Sequence, residues 1–422
     1  MEVLLPYGSG FLRTEAEPER IVRANAPKAA ETDGRTLAEQ ALRAPIGSPT
    51  LSELARGKKT AVVLISDHTR PVPSRELLPP MLRELREGNP AIDITLLVAT
   101  GCHRASTEQE LRKKLGDEMF DAERVVVHDP FSKEKNVRIG TLPSGAPLVL
   151  NRLAAEAELL VSEGFIEPHF FAGFSGGRKS VLPGICAAET VYGNHCGAFI
   201  DDPHARTGIL DGNPIHRDME AAARMAGLSF IVNAVLDEKK QTAAVFAGDP
   251  VKAHLEGVKL LRTLCEVRAV PGDVVVTTNG GAPLDQNLYQ CVKALTTAEA
   301  GARPGATLIL CAEMSDGIGG EGFYRDLRDC ETPEKLYERF KNTPQDRTVP
   351  DQWQTQILCR VLMRHRVIVV TRRELATCIQ EMKMEYAPDP ETALSMAGDG
   401  ERTVIPDGVG VIIRAEGAGE QV

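Results

Sequence analysis

Short β-branched runs alternate with amphipathic helical spacing along nearly the whole chain, and this alternation constrains the fold more than any other feature. Strand-like runs occupy 60–66, 92–99, 124–128, 159–163, 230–236, 273–277, 307–311, 366–370 and 408–414. Several are apolar on both faces, which suits strands buried inside a parallel sheet. Between them, 74–87, 107–115 and 250–265 space their apolar residues as one helix face does. The pattern predicts βαβ units and a layered α/β fold of mainly parallel sheets flanked by helices.

At 422 residues the chain exceeds one ordinary core. A long helical segment ends near Val270-Pro271-Gly272-Asp273, and a new strand begins there. The expected division is an N-terminal α/β domain at 1–268 and a smaller C-terminal α/β domain at 269–422, with the active site in the cleft between them. The last strand, 408–414, is free to return to either sheet. The polar stretch 325–355 reads as a helical excursion or a lid. A net charge of −10 argues against a nucleic acid or an anionic membrane as main partner. No apolar run is long enough to span a bilayer, and Met1–Pro6 lacks the pattern of a secretory signal. Nine cysteines without a CxxC pair suit reduced thiols in the cytoplasm rather than a thiolate metal site.

The loops after the strands hold most of the reactive side chains. They are Asp67-His68-Thr69-Arg70-Pro71, Thr100-Gly101-Cys102-His103-Arg104, Glu167-Pro168-His169, Asn279 to Gln286, and Glu313 to Gly320. Open α/β sheets bind ligands at such carboxyl ends. Ala172-Gly173-Phe174-Ser175-Gly176-Gly177-Arg178-Lys179-Ser180 offers backbone N–H groups, hydroxyls and two cations in one turn, an anion cradle in composition. The alternative is a surface turn with a solvated basic pair. It is not a P-loop, because Arg178 separates Gly177 from Lys179 and Pro183 interrupts the helix that a P-loop opens.

His103, His169 and His195 lie in or beside these loops, where an imidazole can relay protons or bind a transition metal; taken singly, such a histidine is more often structural or at the surface. His68, His204 and His216 stay with the structural reading, and His128, His254 and His365 receive no functional role. In the second domain Gln286, Tyr289, Gln290 and Lys293 recur at helical spacing. They suit either a carboxylate site or a polar solvent face. Trp353, the one tryptophan, reads as an anchor in a core or between domains.

Taken together, Asp67–Pro71, the 99–104 loop, His169 through His195, and Pro283 to Gln290 with Lys293 resemble the lactate racemase family, over nearly the whole chain. The resemblance implies nickel in a nickel-pincer nucleotide, a pyridinium bis-thiocarboxylic acid mononucleotide made by separate cofactor-biosynthesis proteins. It implies Lys179 as the covalent tether, His195 as the nickel ligand, and His103 and His169 as the acid/base pair. Arg70, Tyr289, Gln290, Lys293 and Trp353 would meet the substrate, and Asp67 the cofactor. Phosphate binding would fall to the backbone of Gly176 and Gly177 with Ser175, Arg178 and Ser180.

The implied chemistry suits a short 2-hydroxy acid, lactate first. Its C2 hydrogen is a poor acid beside a carboxylate, and removal as hydride avoids a carbanion. Malate, phenyllactate or a sugar acid on the same scaffold, and a non-catalytic protein that binds a mononucleotide or organic acid, are the alternatives.

Overall fold

The computed structural model describes residues 1–25, 32–237 and 239–414. Two main sheets carry the fold. The first has six strands in the order Thr242–Gly248, Leu228–Leu236, Leu159–Phe165, Thr60–Ser66, Asp93–Ala99, Arg124–Val127. All pairs are parallel except the one made by the edge strand Thr242–Gly248. The second has five parallel strands in the order Glu385–Ala387, Arg366–Val370, Ala302–Cys311, Gly272–Thr278, Arg402–Ile405. The architecture is therefore the layered, mainly parallel α/β fold that the alternation predicts. In Thr60–Ser66, Val62 and Leu64 enter one core while Val63 and Ile65 enter another. Both faces are covered, which explains the unbroken apolar run.

The first sheet changes direction of growth between Thr60–Ser66 and Leu159–Phe165. Later strands add outward on one side up to residue 127 and on the other from residue 159 onward. This switch point leaves a crevice at the carboxyl ends, and the loops at 67–70 and 166–169 issue from it. The 100–107 loop ends in a capping box, in which Thr107 and Glu110 satisfy each other's backbone at the start of Glu108–Leu115. In the second sheet Asn287 accepts from the Gln290 N–H at 3.0 Å. That cap fixes the start of Leu288–Ala300, the helix of Tyr289, Gln290 and Lys293.

Two segments settle differently from their sequence expectations, and a third takes one of its two. The hairpin Glu2–Tyr7 with Gly10–Glu15 falls within 1–268, yet it packs on the second sheet. Val3 and Leu5 share a core with Val274, Val276 and Ile309, and the Gly8 N–H donates to Asp285 Oδ2 at 2.7 Å. A lone hairpin cannot bury its own apolar face. The run 408–414 is a strand only over Ile412–Arg414, which pairs with Glu266–Arg268 outside both main sheets. Asp407 Oδ1 accepts from the N–H groups of Val409 and Gly410 and turns the chain before it. The stretch 325–355 is a helical excursion, passing through Glu321–Asp329, Pro333–Lys341 and into Gln352–Leu362. All nine cysteines are free thiols. Among the described residues no helix is long and apolar enough to cross a membrane.

Candidate active site

The chain leaves the central strand at Ser66 and turns on Asp67. One carboxylate oxygen, Oδ1, accepts from the Thr69 N–H at 3.0 Å and the Thr69 hydroxyl at 2.7 Å, an Asx-type turn that leads into Arg70. The other, Oδ2, lies 2.7 Å from His103 Nδ1. Burial pushes the Asp67 carboxyl up, but His103, Arg70 and Thr69 outweigh it and hold the group well below the usual carboxylate range. With its hydrogen on Nδ1, His103 keeps Nε2 as its basic nitrogen. His68 turns away, its Nδ1 2.9 Å from Ser106 Oγ.

A second cluster gathers on Phe171. Its ring meets His169 edge-on at 4.6 Å and His195 at 5.0 Å, with Lys179 Nζ 5.6 Å from its centre. His169 Nε2 is 3.2 Å from Lys179 Nζ, while its Nδ1 accepts from the Ala172 N–H at 3.3 Å. Burial, then the nearby Arg178, Arg70 and Lys293 charges, drive the Lys179 amine toward its neutral form. Burial and the cations around it likewise keep His169 neutral. A deprotonated amine is a nucleophile. His195 is pushed down to about 3 by burial and by Lys179. Its Nδ1 is buried with no hydrogen-bond partner, which native interiors rarely leave. The Trp353 ring covers it at 5.1 Å.

The second sheet brings the remaining groups. Burial first, then Arg70, bring Lys293 down to about 7, against the pull of Glu167. Lys293 and Glu167 line one crevice between the sheets with Pro168, Phe170, Thr207 and Leu284. The Tyr289 hydroxyl is raised well above its ordinary value by burial and then by the Asp351 carboxylate. Gln290 is buried on the same helix. Arg70, Lys179, Lys293 and His195 all bear on His169, so residues far apart in sequence converge.

The glycine-rich turn departs from the anion cradle its composition suggests. Gly176 and Gly177 have φ of +77° and +53°, and a Cβ on Gly176 would stand 2.7 Å from Asn233 Oδ1. The Gly177 N–H is given to that same Asn233 oxygen at 2.7 Å. The Ser175 hydroxyl donates to the Phe165 carbonyl at 3.0 Å and accepts from the Glu167 N–H at 2.8 Å. Arg178 is only 4% exposed. Its guanidinium donates to the Ala172 carbonyl at 2.8 Å, to the Ser175 and Gly176 carbonyls at 3.4 and 3.3 Å, and to His216 Nδ1 at 3.0 Å. Ser175, Gly177 and Arg178 therefore brace the turn from behind, with these donors given to the protein itself. The turn presses so closely on the sheet that its buried donors must be satisfied there. Lys179 and Ser180 are its two residues that are not fully buried.

Sequence reasoning had no handle on Phe171, which reads as core, nor on Glu167 as the carboxylate facing two lysines. Among the described residues no three His, Cys, Asp or Glu side chains gather as a cage for an ion. His195 would thus hold a metal only with a group that brings its own donors.

A family model described as the lactate racemase N-terminal domain matches residues 7–208, and one described as the lactate racemase C-terminal domain matches 267–413. The chain is 46% identical over 419 residues to a lactate racemase of Thermoanaerobacterium thermosaccharolyticum, covering 97% of this chain and 98% of that one. A lactate racemase of Lactiplantibacillus plantarum is also 46% identical, with 97% and 99% covered. The solved apoprotein of the Thermoanaerobacterium lactate racemase superposes with a TM-score of 0.94 over 98% of this chain and all of that one, at 46% identity. A Thermotoga maritima protein of 19% identity shares the fold, with a TM-score of 0.71 over 92% of this chain and 100% of its own.

Proposed function

The chain belongs to the lactate racemase family and is an isomerase, and from that premise we propose that it interconverts D- and L-lactate with a nickel-pincer nucleotide held by Lys179 and His195. The observation that carries this reading is the pair of groups around the Phe171 ring. One is a lysine amine driven toward its neutral form; the other is a buried imidazole whose Nδ1 has no partner. A neutral amine suits covalent attachment, and a borderline-soft imidazole suits nickel. When bound, the cofactor supplies a nickel-supported pyridinium that accepts and returns hydride.

The chain's own residues then divide the work. Arg70 from the first sheet and Lys293 from the second hold the substrate carboxylate, beside Tyr289, Gln290 and Trp353. His103, oriented by Asp67, takes or returns the hydroxyl proton at Nε2; His169 does so for the opposite enantiomer. Of the turn, Ser180, only partly buried beside Lys179, remains toward the cofactor. The reading includes dependence on cofactor-making proteins and a cytoplasmic setting.

Co-expression with the cofactor-making enzymes tests it. Intact mass should show an adduct that vanishes in Lys179→Ala, metal analysis should show nickel, and chiral chromatography should show lactate racemised. Neither adduct nor nickel under those conditions would overturn the cofactor. Lactate inert while malate, phenyllactate or a sugar acid is turned over would overturn the substrate.

A further inference from the structure

His195 belongs to the first sheet's part of the chain, where its N–H bonds to the Val191 carbonyl and its ring meets Phe171, yet its segment is held from the second part as well. Trp353 covers its ring at 5.1 Å. Two residues before it, the Gly193 carbonyl accepts from Gln345 Nε2 at 2.9 Å. Two residues after it, the Gly197 carbonyl accepts from Gln356 Nε2 at 2.9 Å. Gln356 is fully buried, and its Oε1 has no partner. A half-paired buried amide destabilises a fold, so its place at this joint points to the work of the paired half.

Gly197 is equally constrained, since a Cβ there would lie 2.0 Å from the Phe340 carbonyl oxygen. Beyond it, Asp201 accepts from the Tyr337 hydroxyl and pairs with Lys341 at 3.0 Å. Gln345, between the two helices, thus holds the chain before the imidazole, and the helices Pro333–Lys341 and Gln352–Leu362 hold it after, at Gly197 and Asp201; the imidazole's own Nδ1 has no anchor.

We infer that Gln356 is a positioning residue for His195: the second sheet's part of the chain completes the seat of the imidazole that Phe171 begins, so docking of the two halves and the readiness of His195 for nickel are one event. The consequence for nickel rests on the proposed role of His195; the positioning does not.

Trp353 is the only tryptophan, so its emission in cofactor-free protein reports this joint directly. The variants are Gln356→Leu, which drops the bond to Gly197, and Gly197→Ala, which wedges the joint independently. Arg360→Met is the control on the same helix, because it breaks the 2.8 Å pair with Glu299 instead. Acrylamide quenching of Trp353 should rise about twofold in the first two variants through local opening. Their His195 imidazole ¹⁵N signals should shift or broaden. The control should match wild type on both readouts, whatever its melting temperature. In the loaded enzyme both joint variants should lose nickel to a chelator about tenfold faster, as expected when the support of a ligand is removed. Wild-type quenching and His195 signals in Gln356→Leu, or equal changes in Arg360→Met, would overturn the inference. If the apoprotein signals change while His195→Ala retains nickel, the positioning stands and the nickel role of His195 falls.

Discussion

Asp67 Oδ2 stands 2.7 Å from Nδ1 of His103, and the other oxygen of the same carboxylate is held by Thr69. The carboxylate therefore fixes both the ring's orientation and the nitrogen that carries its hydrogen. Asp67→Asn removes the charge and turns an amide N–H toward Nδ1, favouring the wrong tautomer. Racemisation should fall on the order of 10²- to 10⁴-fold in kcat, the usual contribution of a positioned acid/base group, with KM changed by less than about threefold. Nickel content and chiral assays on the loaded variant check it. An unchanged kcat would mean that Asp67 does not orient His103.

This dyad also marks how far the sequence was legible. Asp67, Arg70, His103 and His169 stand just after strands, and a parallel sheet puts all its carboxyl ends on one side. Their convergence follows from topology once the alternation is recognised. The direction of a donor does not. Arg178 looks like a ligand for anions in a glycine-rich string, but its neighbours in space are carbonyls of its own turn. The same limit applies to Gln356, one glutamine in an amphipathic helix until Gly197 is brought against it. Residues 2–15 leave the expected first domain for a related reason: sequence proximity favours the first sheet, while the apolar face of Val3 and Leu5 fits the second.

Arg178 separates bracing from ligand binding by experiment. Replacement by Met removes the guanidinium's bonds to the Ala172, Ser175 and Gly176 carbonyls, each of which keeps one other partner, in the Phe174 N–H, His254 Nε2 and the Lys179 N–H. Hydrogen bonds to a charged group contribute about 1.5–3 kcal/mol each, so the cofactor-free protein should lose at least about 1.5 kcal/mol in urea unfolding. A residue serving only a bound phosphate would leave apoprotein stability unchanged, and that result would restore the cradle.

Lys293 is brought down to about 7 by burial and Arg70, so in the free enzyme its charge is present below that pH and is lost above it. The proposed grip on the carboxylate needs the charge. KM for lactate should rise as pH increases above about 7, by up to tenfold per unit where the neutral form dominates. Lys293→Arg, which stays protonated, should flatten this limb. A wild-type KM independent of pH between 6.5 and 9 would show that Lys293 does not hold the substrate through its charge.

The buried histidines make the opposite kind of prediction, for folding rather than turnover. His195 and His216 are pushed down to about 3, by burial with Lys179 for the first and by burial with Arg178 for the second. His254 and His169 are lowered well below their ordinary value. Below pH ~6.5 the unfolded chain takes up protons at these positions that the folded chain refuses. Stability is therefore full above that pH and is lost as pH falls, by about 1.4 kcal/mol per unit for each such histidine. Between pH 6.5 and 5 most carboxylates remain ionised, so the histidines dominate that window. Urea midpoints of the cofactor-free protein should drop steeply across it. His216→Gln, which cannot protonate, should reduce the slope by about one histidine's share. A flat profile across this window would mean that the folded protein accepts these protons and that the cluster behind the glycine-rich turn is open to water.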